Sequence, residues 1–140
     1  MEGKTNTVEF RFYGLNKIFY CLLVFGLIFG LSGNISAASI ECNSCADCTG
    51  KLNGNYDEVY LNTSIRNHSG TCVIFGASNV TFDCQRHTID GDDQSHPNRV
   101  YGIYLNGKSG NMIKNCVITD FSDGIRLLDH SSNNKIINNN

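Results

Sequence analysis

Tyr101-Gly-Ile-Tyr-Leu-Asn-Gly-Lys-Ser-Gly-Asn111 and Asp123-Gly-Ile-Arg-Leu-Leu-Asp-His-Ser-Ser-Asn133 align without a gap. Gly102 and Gly124 stand 22 residues apart, and so do Ile103 and Ile125, Leu105 and Leu127, and Asn111 and Asn133. Met-Ile-Lys-Asn-Cys-Val-Ile-Thr follows Asn111 and Lys-Ile-Ile-Asn-Asn-Asn follows Asn134, so Asn115 corresponds to Asn138 with a one-residue slip. A weaker copy comes earlier. Cys72-Val-Ile-Phe75 resembles Gly102-Ile-Tyr-Leu105, and Asn79-Val-Thr-Phe-Asp-Cys84 resembles Asn111-Met-Ile-Lys-Asn-Cys116. The offset rises there to between 30 and 32 residues, which predicts an insertion. Asp92 to Val100 (DDQSHPNRV), polar and holding the single proline, is the stretch expected to loop out.

Three strands of four or five residues and three turns add up to about 22 residues, one coil of a parallel β-helix. Stacked coils repeat at strand spacing, about 4.8 Å, and place equivalent residues above one another. The sequence therefore predicts inward stacks of Ile103 on Ile125 and Leu105 on Leu127. Asn111 and Asn133 are expected at a recurrent turn, because Asn tolerates left-handed backbone angles. Val80, Phe82 and Cys84 alternate with Thr81 and Asp83 as one buried and one outer face of a strand do. The expectation is an all-β, single-stranded right-handed parallel β-helix of about three coils. Residues 39–70 form its Cys-rich N-terminal cap and residues 71–140 its repeats. The chain stops inside a repeat, so the repeats are expected to be truncated, with further coils or a partner covering that end.

Ile18 to Leu31 is an unbroken run of apolar residues and glycine, preceded by Arg11 and Lys17 and followed by small residues at Ser36 and Ala38. That is the layout of a secretory signal, and the run is short for a membrane span, which needs about 20 residues. Residues 1–38 are expected to be a signal peptide cleaved after Ala38, the alternative being an uncleaved anchor. The expected location is secreted or at the cell surface. Without residues 1–38 the chain carries 8 basic and 11 acidic residues. A mildly acidic chain argues against nucleic acid, which needs clustered Lys and Arg.

Six cysteines lie beyond the signal: Cys42, Cys45, Cys48, Cys72, Cys84 and Cys116. An even set in an exported chain reads as disulfides. The C-x2-C-x2-C spacing of Cys42, Cys45 and Cys48 has metal alternatives. Iron–sulfur ligation needs a fourth cysteine where Leu52 stands, and zinc needs a fourth ligand such as Cys72 or His68. Cys84 and Cys116 hold the same place in successive copies, either as a staple between coils or as two buried thiols. Asn62, Asn67 and Asn79 begin N-x-S/T sequons and are glycosylation candidates, with Asn79 equally a turn residue.

From Asn79 to Asn140 the chain resembles the parallel β-helix repeat superfamily, nearest its NosD-like group of exported proteins described as carbohydrate-binding and sugar-hydrolase-like. The repeated G-I-x-L and N-x-x-I-x-N frames carry the resemblance over residues 70–140. It implies the fold and leaves three functions open. These are a non-catalytic envelope module binding glycan or building surface structure, the N-terminal part of a polysaccharide hydrolase or lyase, and a metal-handling accessory protein. Pectin-hydrolase relatives carry N-T-D, G-D-D and G-H elements; Gly91-Asp92-Asp93 matches only the second, and no catalytic residue is assigned. Asp90, Asp92 and Asp93 are expected to be a turn, or weakly a calcium site. Asp120, Asp123 and Asp129 form a second acidic group. No other cofactor is implied. Sugar rings stack on exposed aromatics, so Tyr101 and Tyr104 are the glycan-contact candidates, with Arg126 expected beneath Tyr104 one coil later.

Overall fold

Short runs of β-branched and aromatic residues, each bounded by Gly, Asn, Asp or Ser, give strands of three to six residues. In the computed structural model, which describes residues 38–93 and 98–140, eleven strands and one helix appear. They are β1 (Ser39–Cys42), α1 (Cys45–Leu52), β2 (Glu58–Leu61), β3 (Ile65–His68), β4 (Val73–Phe75) and β5 (Thr81–Asp83). There follow β6 (Thr88–Gly91), β7 (Tyr101–Asn106), β8 (Met112–Lys114), β9 (Val117–Thr119), β10 (Asp123–Leu128) and β11 (Lys135–Ile137). The strands form three sheets, ordered β1-β2-β5-β8-β11, β3-β6-β9 and β4-β7-β10. Every strand pair is parallel. From β2 onward the chain visits the first, second and third sheets in turn, then begins again beside the strand it laid down one round before.

The register bears out the two best copies. Ile103 pairs with Ile125, Tyr104 with Arg126, and Leu105 with Leu127. The weaker copy also lands where expected in the third sheet, with Val73 on Ile103 and Phe75 on Leu105. Four inward rows result: Val59–Phe82–Ile113–Ile136, Ile65–Ile89–Ile118, Val73–Ile103–Ile125 and, beside the last, Phe75–Leu105–Leu127. Their middle members are wholly buried, and Phe75 meets Phe82 edge to face with ring centroids 6.4 Å apart. No strand occurs between Gly91 and Tyr101 among the described residues.

Two expectations are corrected. Aligning Asn79 with Asn111 is one residue out for the strand, because Phe82 pairs with Ile113. The left-handed turn position is shared by Asn79 (φ 61°), Gly110 (φ 72°) and Asn133 (φ 55°). Asn111 sits one place further on, buried, where its Oδ1 accepts from the Val80 N–H at 3.0 Å. Asn134 Oδ1 in turn accepts from the Asn111 N–H, and Asn139 Oδ1 from the Cys116 N–H. These asparagines act as rungs of an amide ladder between coils, and the residues before them make the turn. The one-residue slip does hold for Asn115 (φ 57°) and Asn138 (φ 54°).

The second correction concerns residues 39–70. They contribute strands as well as a cap, because β1 pairs with β2, β2 with β5 and β3 with β6. What closes that end is α1, a helix not expected from the chain's strand-forming composition. Its start is legible in Ser44-Cys-Ala-Asp47. Ser44 Oγ accepts from the Asp47 N–H and the Asp47 carboxylate accepts from the Asn43 N–H, a reciprocal cap. A hydrogen bond from Lys51 Nζ, helped by a lesser one from the Asn43 N–H, holds the Asp47 carboxyl below the usual aspartate range against the opposing effect of burial. Cys45, Cys48 and Leu52 are the buried face of α1. Thr49 Oγ1 accepts from the Ile74 N–H and donates to the Cys72 carbonyl, so the helix satisfies the free edge of β4 that would otherwise invite another strand.

Among the described residues all six cysteines are paired, as Cys42–Cys48, Cys45–Cys72 and Cys84–Cys116. The Cys84 and Cys116 Cα atoms lie 4.7 Å apart, the spacing of neighbouring strands, so the bridge joins successive coils. Disulfides in this number are those of a protein in an oxidising environment. The signal or anchor expected in residues 1–38 lies, Ala38 apart, outside the described residues, as do residues 94–97 of the inserted loop.

Candidate functional site

The outer face of the third sheet gathers the residues with recognition chemistry. In β7, Gly102 and Ile103 are both buried, which interrupts strict alternation. Gly102 turns inward at a corner, where a Cβ would run into Ile118 of β9 and the Gly124 carbonyl. That corner brings Tyr101 and Tyr104, three residues apart, to the same outer side. Their rings stack at 5.2 Å between centroids and 15° between planes. Both rings are half-buried, so each keeps a free portion for a ligand.

Charged groups lie one coil on. Register places Asp123 beside Tyr101 and Arg126 beside Tyr104. Asp123 Oδ1 accepts from Arg99 Nη2 at 2.9 Å, and Asp123 Oδ2 is 3.8 Å from Arg126 Nη1. The longer contact leaves Asp123 Oδ2 and Arg126 Nε buried without hydrogen-bond partners. Ile74 of β4, 41 % exposed, flanks Tyr104 on the other side. The face thus runs apolar, aromatic and cationic across β4, β7 and β10, a surface able to stack against a ring and to hydrogen-bond its substituents.

The acidic groups behave differently. Thr119 Oγ1 donates to Asp90 Oδ1 at 2.6 Å and the Asn67 N–H donates to Asp90 Oδ2, and these bonds hold the Asp90 carboxyl below the usual range. Asp120 is pushed up, first by its hydrogen bond to Asp90 and further by the nearby Asp93. Asp93 and Asp120 border a cavity of about 270 Å³ with Val100, Phe121 and Ser122. Asp90, Asp92 and Asp93 do not converge as a cation site. Among the described residues the one group of three such side chains whose ligand atoms lie within 4.8 Å of one another is Cys45, His68 and Cys72. The iron–sulfur and zinc alternatives for Cys42, Cys45 and Cys48 give way to disulfides.

The sequon asparagines Asn62, Asn67 and Asn79 are all exposed. Asn79 also serves as a left-handed turn residue, and Asn67 takes a left-handed backbone angle within β3, where the pairing with β6 shifts register. Sequence reasoning placed Tyr104 over Arg126 on the outer face and named Tyr101 as a candidate, but overlooked the corner that brings Tyr101 to that face and the pairing of Arg99 with Asp123. Arg99 lies in the inserted segment, where no repeat aligns it with the later coil. No family model, no curated protein and no solved structure matches the chain.

Proposed function

We propose that this chain is an exported, non-catalytic module built as a right-handed parallel β-helix, of the repeat superfamily it resembles, and that it binds glycan on the outer face of β4, β7 and β10. Connections between parallel strands of one sheet are right-handed in about 98 % of cases, which supports the hand. Three disulfides behind a signal-like segment support export. The observation that carries the binding reading is the stacked Tyr101–Tyr104 pair with Arg126 beside it. An aromatic platform supplies a face for a pyranose ring, and the guanidinium supplies planar donors for its hydroxyls.

Affinity electrophoresis through gels holding soluble plant, algal and bacterial polysaccharides tests the proposal. At least one polymer should retard the wild-type chain, and Tyr104→Ala should weaken that retardation by about tenfold, the loss of one good ring contact. If no polymer retards the chain, or if Tyr104→Ala and Arg126→Ala both run like wild type, the binding reading is wrong.

A further inference from the structure

The first coil holds a second site with different chemistry. We propose that Cys45, Cys72 and His68 form a thiophilic metal site, of the kind that takes Zn²⁺, which opens when the Cys45–Cys72 disulfide is reduced. The two sulfurs and an imidazole nitrogen lie within 4.8 Å of one another. In a tetrahedral zinc site, with bonds of about 2.3 Å to sulfur and 2.0 Å to nitrogen, neighbouring ligand atoms are about 3.5–3.8 Å apart. The three atoms are therefore gathered to within about 1 Å of that spacing, and the two sulfurs must separate to reach it.

Three different elements hold the ligands. Cys45 opens α1, Cys72 stands just before β4, and His68 ends β3. The backbone of each is held by contacts other than the disulfide. α1 keeps its Ser44 cap. The Cys72 N–H donates to the Tyr101 carbonyl, and its own carbonyl accepts from Thr49. His68 pairs with Gly91. Cys45 and Cys72 are 5 % and 3 % exposed, and His68 is half-buried, so the metal would sit near the surface with water able to complete its fourth position.

The chemistry balances with a named reductant. A trialkylphosphine and one water convert the disulfide to two thiols, and the phosphine leaves as its oxide with the water oxygen. Zn²⁺ then displaces the two thiol protons and takes the His68 nitrogen lone pair. Disulfide and metal compete for the same sulfurs, so the oxidised chain should bind no metal here.

The test uses the chain with Cys42, Cys48, Cys84 and Cys116 all changed to Ser, beside wild type, reduced with a water-soluble phosphine under argon. Co²⁺ is the probe. One equivalent should give the intense sulfur-to-cobalt charge-transfer absorption of a tetrahedral thiolate site in both proteins. Excess Zn²⁺ should bleach it, and the oxidised proteins should show none. His68→Gln should weaken Co²⁺ binding by at least about tenfold, while His87→Gln leaves it unchanged. Circular dichroism accompanies each titration. A reduced chain that loses its strand signal and regains it on adding metal supports the site, since binding energy is then folding energy. Absence of charge-transfer absorption, failure to refold with metal, or equal affinity in His68→Gln overturns it.

Discussion

The row Val59–Phe82–Ile113–Ile136 crosses the first sheet from β2 to β11, one apolar residue per strand, yet its members have unlike fates. The first three are fully buried, while Ile136 is 49 % exposed and its neighbour Ile137 39 %. At the other end, α1 lays Cys45, Cys48 and Leu52 over the opening coil, and two disulfides tie it down. The same residue type in the same register position is core in one coil and surface in another. In a stacked architecture, burial is supplied by the adjacent layer, not by local sequence.

That difference should appear first in core truncations. Phe82→Ala removes a fully buried ring that meets Phe75, and should destabilise the chain by about 3–5 kcal/mol. Ile136→Ala in the same row should cost less than about 1 kcal/mol, because half of that side chain is already in water. Urea midpoints at constant slope measure both. Equal losses at the two positions would mean that the last coil is packed as tightly as the middle ones.

The disulfides give the next largest contrast. Cys84–Cys116 closes 32 residues and Cys42–Cys48 only 6. On loop-closure entropy, replacing the first pair by serines should cost roughly 3–4 kcal/mol and the second roughly 2 kcal/mol. The order of the two losses is the stronger test. Its reversal would show that fixing α1 over the first coil outweighs closing the longer loop.

The asparagine ladder separates middle from end on a smaller scale. Asn111→Ala leaves the Val80 N–H without its acceptor beside buried Val80, at a cost of about 1–3 kcal/mol. Asn134→Ala removes the same kind of rung one coil on, where Asn134 is half-buried, and should cost about 1 kcal/mol or less. Slower amide exchange at Val80 than at Asn111 in the native chain would agree with that ranking.

The parts of this architecture that repeat were the parts legible in the sequence. Gly102 with Gly124 and Ile103 with Ile125 share one offset, so the third sheet and its outer Tyr104–Arg126 neighbours follow from arithmetic. The Cys84–Cys116 bridge follows from equivalence of coils, although its offset of 32 residues exceeds the strand offset of 31 between Phe82 and Ile113. That one-residue drift misled the alignment of Asn79 with Asn111, because two asparagine roles, turn and ladder, stand side by side and look alike in a sequence. Helix α1 occurs once, and its cue was the capping pattern at Ser44 and Asp47. Arg99 has no counterpart in a neighbouring copy, so only three-dimensional placement joins it to Asp123. Periodicity reports what stacks; what closes an end or crosses from an insertion has to be found by its own chemistry.

The smallest expected effect concerns charge, and it too differs between middle and edge. Lys114 on β8 reaches across two earlier coils, to Asp83 Oδ2 at 3.3 Å and Glu58 Oε1 at 2.9 Å. The Glu58 hydrogen bond, helped by Asp83 and opposed by burial, raises Lys114 above its ordinary value of about 10.4. Its share of stability is complete below that value and is lost as pH rises through the raised one. For Asp83, burial pushes upward but bonds from Asn115, the Gln85 N–H and Lys114 outweigh it, so its pKa falls below about 3.9. Its share is complete above that value and is lost as pH falls through the lowered one. Partial exposure of all three side chains limits each pair to about 0–1 kcal/mol. Lys114→Met should therefore remove the loss of stability above pH 10.4 that Lys114 causes, and should only soften the acid loss, since Asn115 and Gln85 still hold Asp83. Arg99→Met at the edge breaks a pair whose cation is 63 % exposed, and should leave both flanks of a urea-midpoint pH profile unchanged. A profile in which Arg99→Met acts as strongly as Lys114→Met would reverse the ranking of middle over edge for charges, even if it held for the core.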